Sequence, residues 1–362
     1  MVIASEEVLA SIRATVEAYF PVKELVFQDG HPVFRIVPGP DDKTRFLRLR
    51  DALGGFGLLP LLRRRDTETV ILLAPKPAPT RPRWALHIAL FGATLVTTFA
   101  AGFLNSQAAC GIPGPTSPFA GGVLFSLSLM AILLCHEMGH KLVSIWRGID
   151  SSLPFFIPFP PLLGLLSIGT MGAVILTKTP SPNRDALVEL GASGPIAGFL
   201  VAVPILGYGI RHSFFLARSA ILAHGCPPPV NFPTPYLFDL LTQWLVHPSA
   251  SADVMSIHPM AWAGWVGLLV TGLNLLPAGM LDGGHVMRAI FGPRLHVILS
   301  YVGAIACLFF GYWLMGILIF FLIRRGHPGP LDDCSPVTVV HKVVAAALIV
   351  VFALSAVPLT FW

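Results

Sequence analysis

The sequence predicts a polytopic α-helical membrane protein with a small α+β soluble domain at its N-terminal end. Three observations predict it. Of 362 residues, 54% are hydrophobic and only 12% charged, with a mean hydropathy of +0.73; an ordinary globular protein carries about 25% charged residues. The charges are segregated, since residues 1–83 hold 13 of the 24 Lys+Arg and 10 of the 19 Asp+Glu. Several later stretches run to about 20 apolar residues, the length that crosses a bilayer as a helix.

In the head, Ser5 can cap a helix with Glu6 and Glu7 in its first turn and Val8, Ile12, Val16 and Tyr19 along one stripe. Leu25-Val26-Phe27, a turn at Asp29-Gly30 and Val33–Val37 predict a hairpin. A second helix starts at Asp41-Asp42 and runs toward Leu53. Leu58–Leu62 and Thr69–Leu73 form another hairpin, with Arg63-Arg64-Arg65-Asp66 as its turn. This gives a domain at 1–74, followed at 75–83 by a proline-rich linker that favours polyproline II, and a membrane body at 84–362.

Spanning helices are predicted at Trp84–Leu104, Phe119–Trp146, Ala186–Ile210, Met260–Leu276 and Val343–Phe361. Leu153–Thr177 is apolar but dense in Pro and Gly, which argues against a plain helix and for a re-entrant loop or hairpin. Residues 211–256 form a loop with a short helix at Tyr236–Val246. Leu295–Phe321 is long enough for one tilted helix or two short ones. With the head cytoplasmic and a helical hairpin there, 9 of the 11 cations beyond residue 83 fall on one side, as the positive-inside rule requires. The hairpin is therefore preferred. The pI near 9.1 is accounted for by that bias and by anionic headgroups, and no cluster suggests nucleic-acid readout. The five cysteines have no CxxC spacing; Cys110 and Cys226 share the outer side in this topology and could bridge. Met1–Pro21 lacks the apolar core of a signal peptide, and no Arg/Ser-rich transit segment is present. The expectation is a bacterial inner membrane, with the head and the chemistry toward the cytoplasm.

The chemistry is carried by His136-Glu137-Met138-Gly139-His140 within the second span. Histidines at i and i+4 share a helix face and can reach one divalent cation. Glu137 points near that face and can take a proton from a metal-activated water. Ionisable groups inside a membrane helix are costly and usually functional. Cys135 is directed about 100° from His136 and is assigned to packing. A hydrolytic zinc needs a third protein ligand, for which Asp282, His285, Glu189 and Asp150 are candidates. Asp282 is best placed, because it follows a span that returns it to the depth of His136, with Pro277, Gly279 and Gly283-Gly284 breaking the helix around it. His285 is a candidate partner of Asp282; the other histidines are scattered and assigned to surface or packing.

HExxH at 136–140, with Asn274-Leu-Leu-Pro277 and Leu281-Asp282-Gly283, resembles the site-2 protease family of intramembrane zinc metalloproteases. Ile168–Ala173, Pro182-Asn183-Arg184 and Gly191–Gly198 are similar to segments of its PDZ-less chloroplast and photosynthetic-bacterial branch. The resemblance implies one Zn2+ held by His136, His140 and Asp282, and Glu137 as general base. It also implies Asn274 contacting the substrate backbone or the developing oxyanion. The expected partners are a single-pass membrane-protein substrate and the lipid bilayer. A substrate helix hides its amides in i→i−4 bonds and must unwind before cleavage; the 153–177 hairpin could take the unwound segment as an added strand. The alternative is a transporter or metal permease using the intramembrane His/Asp cluster, which would show duplicated broken helices; only one HExxH and one Asp-Gly-Gly are present. A di-iron oxidase would need several histidine boxes.

Overall fold

The computed structural model describes residues 6–28, 31–78, 82–107, 112, 114–161, 168–224, 233–246 and 254–357. The N-terminal unit is α1 (Glu6–Tyr19), β1 (Val22–Gln28), β2 (His31–Ile36), α2 (Asp42–Gly54), β3 (Leu58–Arg65) and β4 (Glu68–Pro75). The four strands form an antiparallel sheet in the order β1-β2-β4-β3. Ile12 and Val16 of α1 and Phe46, Leu49 and Leu53 of α2 bury against Phe34, Leu62 and Ile71 of the sheet. Val8 stays 43% exposed, so the apolar stripe begins one turn later than expected. Arg63-Arg64-Arg65 lie in β3 rather than in the turn, which tightens to Asp66-Thr67 with Asp66 at φ +52°. Asp is one of the few non-glycine residues that tolerates this conformation.

The body is largely helical: α3 (Trp84–Asn105), α4 (Pro118–Trp146), α5 (Arg184–Arg211), α6 (Arg218–Ala223), α7 (Tyr236–Leu245), α8 (Pro259–Asn274), α9 (Asp282–Phe309), α10 (Trp313–Arg325) and α11 (Val339–Ser355). Among the described residues, α3, α4, α5 and α9 are long and apolar enough to cross a membrane. Caps set several of the starts: Ser117 Oγ accepts from Ala120 N with Pro118 at the first helical position, and Asn183 Oδ1 accepts from Ala186 N. Two short sheets complete the body, β5 (Phe155–Pro158) with β6 (Thr170–Val174), and β7 (Phe214–Leu216) with β8 (Val254–Ser256). The β5–β6 pair falls within the segment expected to be non-helical. Residues 162–167 between its strands, and the expected Cys110–Cys226 bridge, lie outside the described residues.

Leu295–Phe321 forms two helices that turn at Phe310–Tyr312, with Gly311 at φ +83°. The first of them starts at Pro293, within two residues of the expected Leu295; Gly292 (φ +79°, ψ −175°) is non-helical and separates it from a shorter helical segment of α9 that begins at Asp282. Proline restricts its predecessor and removes an N–H, and glycine accepts the left-handed φ that keeps the two segments in sequence.

A core of α4, α5 and α8 side chains, including Leu129, Ile132, Leu133, Ala202, Leu206 and Val266, fills the middle of the body. Phe156 of β5 joins this core and meets Phe91 of α3 edge-on with ring centroids 5.1 Å apart, while β6 packs against α4, the HExxH helix. The hairpin also rests on α3, where Thr97 Oγ1 donates to Gly169 O at 2.6 Å and His87 Nδ1 donates to Pro154 O at 3.0 Å.

Candidate metal centre

Helical spacing puts His136 and His140 on the same face of α4, and the α8–α9 break delivers Asp282 to that face. His136 Nε2 lies 3.2 Å from His140 Nε2 and 3.2 Å from Asp282 Oδ2; His140 Nε2 lies 3.3 Å from Asp282 Oδ1. These are the ligand–ligand edges of a small tetrahedral site: ligands at about 2.05 Å from a zinc ion stand about 3.3 Å apart. Asp282 does not sit in a broken stretch, as its flanking glycines suggested. It is the first residue of α9, where free backbone N–H groups favour a carboxylate. The break is confined to Leu275–Leu281.

The donor set fits a cation on electrostatic grounds. His140 Nδ1 donates to Leu190 O at 2.7 Å, which leaves its Nε2 lone pair aimed at His136 Nε2 and at the carboxylate. Asp282 Oδ2 is buried and makes no hydrogen bond. Acceptors facing one another without a shared proton repel, and a divalent ion between them removes the conflict. Among the described residues, His136, His140 and Asp282 are the three-residue group whose ligand atoms all fall within 4.8 Å.

Small residues let the helices close to this distance. A Cβ on Gly194 would overlap the His140 ring, and one on Gly198 would stand 3.2 Å from His136 Nδ1. At Gly191 a Cβ would lie 2.6 Å from Asp282 O. The glycine stripe of α5 is thus the wall against which His136, His140 and Asp282 are pressed.

Glu137 is 5% exposed, near enough for the charges of His136, His140 and Asp282 to act on its carboxyl. Asn274, the last residue of α8, brings Nδ2 to 3.4 Å from His136 Nε2. The other candidate ligands are turned elsewhere. Glu189 pairs with Arg147 and accepts from His341 Nε2 at 2.7 Å, and Asp150 faces Lys178 at 3.8 Å. His285 turns Nδ1 to His327 Nε2 at 2.7 Å rather than to Asp282. Gly329 N donates to His327 Nδ1, so His327 Nε2 carries the proton and donates it to His285. Burial first, and then His285, His296 and Arg288, hold His327 neutral, its pKa pushed down to about 2. His327 and His341 are therefore partnered groups rather than scattered surface residues. Their partners lie 42 and 152 residues away, and no spacing rule reaches that far.

No solved structure matches the chain. Among curated proteins it is 32% identical over 181 residues to "Probable zinc metalloprotease EGY1, chloroplastic" of Arabidopsis thaliana, covering 49% of this chain and 31% of that protein. It is 32% identical over 220 residues to "Probable zinc metalloprotease EGY2, chloroplastic" of Oryza sativa subsp. indica, covering 59% and 38%. The chain thus spans about a third of the length of these relatives. Their printed names are chloroplastic, so they lend no support to the bacterial inner membrane expected from the sequence. The model of "Peptidase family M50" matches residues 124–318, over half of the chain, from the turns before HExxH on α4 through the Asp282 end of α9 and into α10. The convergence of those two motifs and this match lead to one conclusion: the chain belongs to peptidase family M50, the site-2 protease family.

Proposed function

We propose that this protein is an intramembrane zinc metalloprotease that hydrolyses a peptide bond in or near a transmembrane segment of a membrane-protein substrate. The observation that carries the reading is the meeting of His136 Nε2, His140 Nε2 and the Asp282 carboxylate within 3.3 Å. These three residues would hold the metal. Zinc there would supply the Lewis acid that makes water nucleophilic near neutral pH and polarises a peptide carbonyl. Glu137 takes the proton of the attacking water and hands it to the departing amine. The Asn274 side-chain amide donates to the carbonyl oxygen as negative charge grows on it.

In this reading α3, α4 and α5 cross the bilayer, and the N-terminal unit lies on the side that carries most of the cations. Lys43 pairs with Asp185 at the start of α5, and Arg50 donates to Arg147 O at the end of α4, which supports that placement. The HExxH helix reaches Trp146 ten residues beyond His136, so the metal lies about 15 Å from that end. The β5–β6 hairpin, fixed beside α4, would accept an unwound substrate as a further strand and satisfy its amides in lipid. A transporter would need duplicated inverted elements, and membership of a peptidase family does not favour it.

The deciding experiment is the Glu137→Gln protein, reconstituted with a single-span substrate and assayed for zinc and for cleavage. One zinc per chain should remain while cleavage falls by at least about a hundredfold, the scale on which a general base acts. Cleavage at the unmutated rate would sink the proposal.

A further inference from the structure

Beside the metal centre stands a side chain that neither the ligand set nor the general base accounts for. His285 follows Asp282 by three residues in the first segment of α9, so the two share a face with Cβ atoms about 5–6 Å apart. It leans on the same glycine wall as the ligands. A Cβ on Gly191 would stand 3.0 Å from His285 Cβ, and one on Gly194, a turn further along α5, would overlap the His140 ring. His285 is near enough for the charges of Asp282 and His140 to act on its ring. It is not a fourth ligand, because its Nδ1 is taken by His327.

A chain of hydrogen bonds fixes where the His285 proton sits. Gly329 N donates to His327 Nδ1 at 2.9 Å, so that atom is a lone pair and the His327 proton is on Nε2. His327 Nε2 donates to His285 Nδ1 at 2.7 Å. His285 Nδ1 is then a lone pair as well, and the neutral ring carries its own proton on Nε2. Among the described residues, no acceptor takes that proton. His285 is also partly exposed, as are the side chains of His140 and Asp282 at 11% and 13%. A fixed donor is therefore left for a molecule bound at the metal centre. Asn274 Nδ2 stands 3.4 Å from His136 Nε2, and His285 stands along the α5 wall from His140, so donors flank both histidine ligands. Charge that grows on an oxygen in a transition state is held best by donors already oriented toward it.

We infer that His285 is a further catalytic residue, its Nε2–H donating to the carbonyl oxygen of the attacked peptide as negative charge builds there, and that His327 is the positioning residue that fixes its tautomer. The inference rests on the protease reading above. Its test is steady-state cleavage of a single-span substrate by the reconstituted full chain, with zinc measured in each variant. In His285→Asn the side-chain oxygen replaces Nδ1 and keeps the bond from His327, but the Nε2 donor is gone. In His285→Gln the amide nitrogen replaces Nε2 and restores a donor. His285→Asn should keep one zinc per chain and a KM within about twofold, while kcat falls at least about a hundredfold, the scale of one lost oxyanion donor. His285→Gln should keep at least about a tenth of the unmutated kcat. A purely structural role would not distinguish these two variants in kcat at constant zinc. Unchanged kcat in His285→Asn overturns the inference, and so does a His285→Gln protein as slow as a hundredfold loss, which decides the matter if His285→Asn fails to fold. Absence of cleavage by the zinc-loaded unmutated protein would instead sink the protease reading itself.

Discussion

At the scale of single residues, the centre depends as much on side chains that are missing as on those that are present. His140 can meet His136 and Asp282 only because position 194 has no Cβ. Gly194→Ala should therefore push His140 aside and leave less than about a tenth of the chains loaded with zinc, measured by inductively coupled plasma mass spectrometry after dialysis against micromolar zinc. Loss of one ligand from a three-residue zinc set is the physical reason. Gly92→Ala on α3, where an added Cβ meets nothing within 4 Å, is the control and should keep full zinc. Full zinc in Gly194→Ala would mean that the α5 wall does not press on the ligand. This scale was the most legible in the sequence. Two histidines four apart declare a shared helix face, and Asp-Gly after Asn-Leu-Leu-Pro marks a chain reversal that returns a carboxylate. The Leu190 carbonyl that orients His140 left no signal, because any residue supplies a carbonyl. The His285–His327 and His341–Glu189 contacts were also hidden, since each joins separate elements.

At the scale of elements, the sequence placed helices by length and apolarity and the β5–β6 segment by its prolines and glycines. It erred where two features share one stretch. The Arg63–Arg65 run looked like a turn because it is basic, yet cross-strand pairing from Arg63–Val70 to Arg65–Glu68 keeps it in the ladder. The β5–β6 hairpin suggests a test of substrate presentation. Gly169 has φ +80°, and a Cβ there would stand 2.5 Å from Thr97 O of α3. Gly169→Leu should lift the hairpin from α3, lowering cleavage at least about tenfold through the lost substrate position, with one zinc per chain retained. Gly172 has φ +92° but open space around it, so Gly172→Ala should bring backbone strain without a clash and a smaller loss. Equal activity of Gly169→Leu and the unmutated protein in a reconstituted cleavage assay would remove the hairpin from the mechanism.

At the scale of the whole molecule, the N-terminal unit is fastened to α9, the helix that begins at Asp282. Its edge strand β3 is continued by the segment after α10: Leu62 N donates to Leu331 O at 2.9 Å, and Asp333 N donates to Leu62 O at 3.2 Å. Leu331 is buried in the core of the N-terminal unit, and Arg63 Nη1 also donates to Leu331 O at 2.7 Å. The next side chain but one, Asp333, takes both terminal nitrogens of Arg288 at 3.0 and 2.6 Å. Arg288 lies six residues beyond Asp282 on α9, with its side chain only 5% exposed. A sequence cannot announce this clamp, because a lone extended segment of three residues acquires meaning only from the edge it joins. Asp333→Ala would leave a buried guanidinium without its counter-charge, whereas the Arg13–Glu17 pair is solvated on both sides. The expected costs differ accordingly: about 3 kcal/mol for Asp333→Ala and less than about 1 kcal/mol for Glu17→Ala. Denaturant unfolding in detergent, followed by protease protection of the N-terminal unit, reads both. If the clamp holds α9 in place, Asp333→Ala should also weaken zinc retention against a chelator, while Glu17→Ala should not. Equal stability and equal zinc retention in the two variants would show that the unit rides on the body without bearing on Asp282.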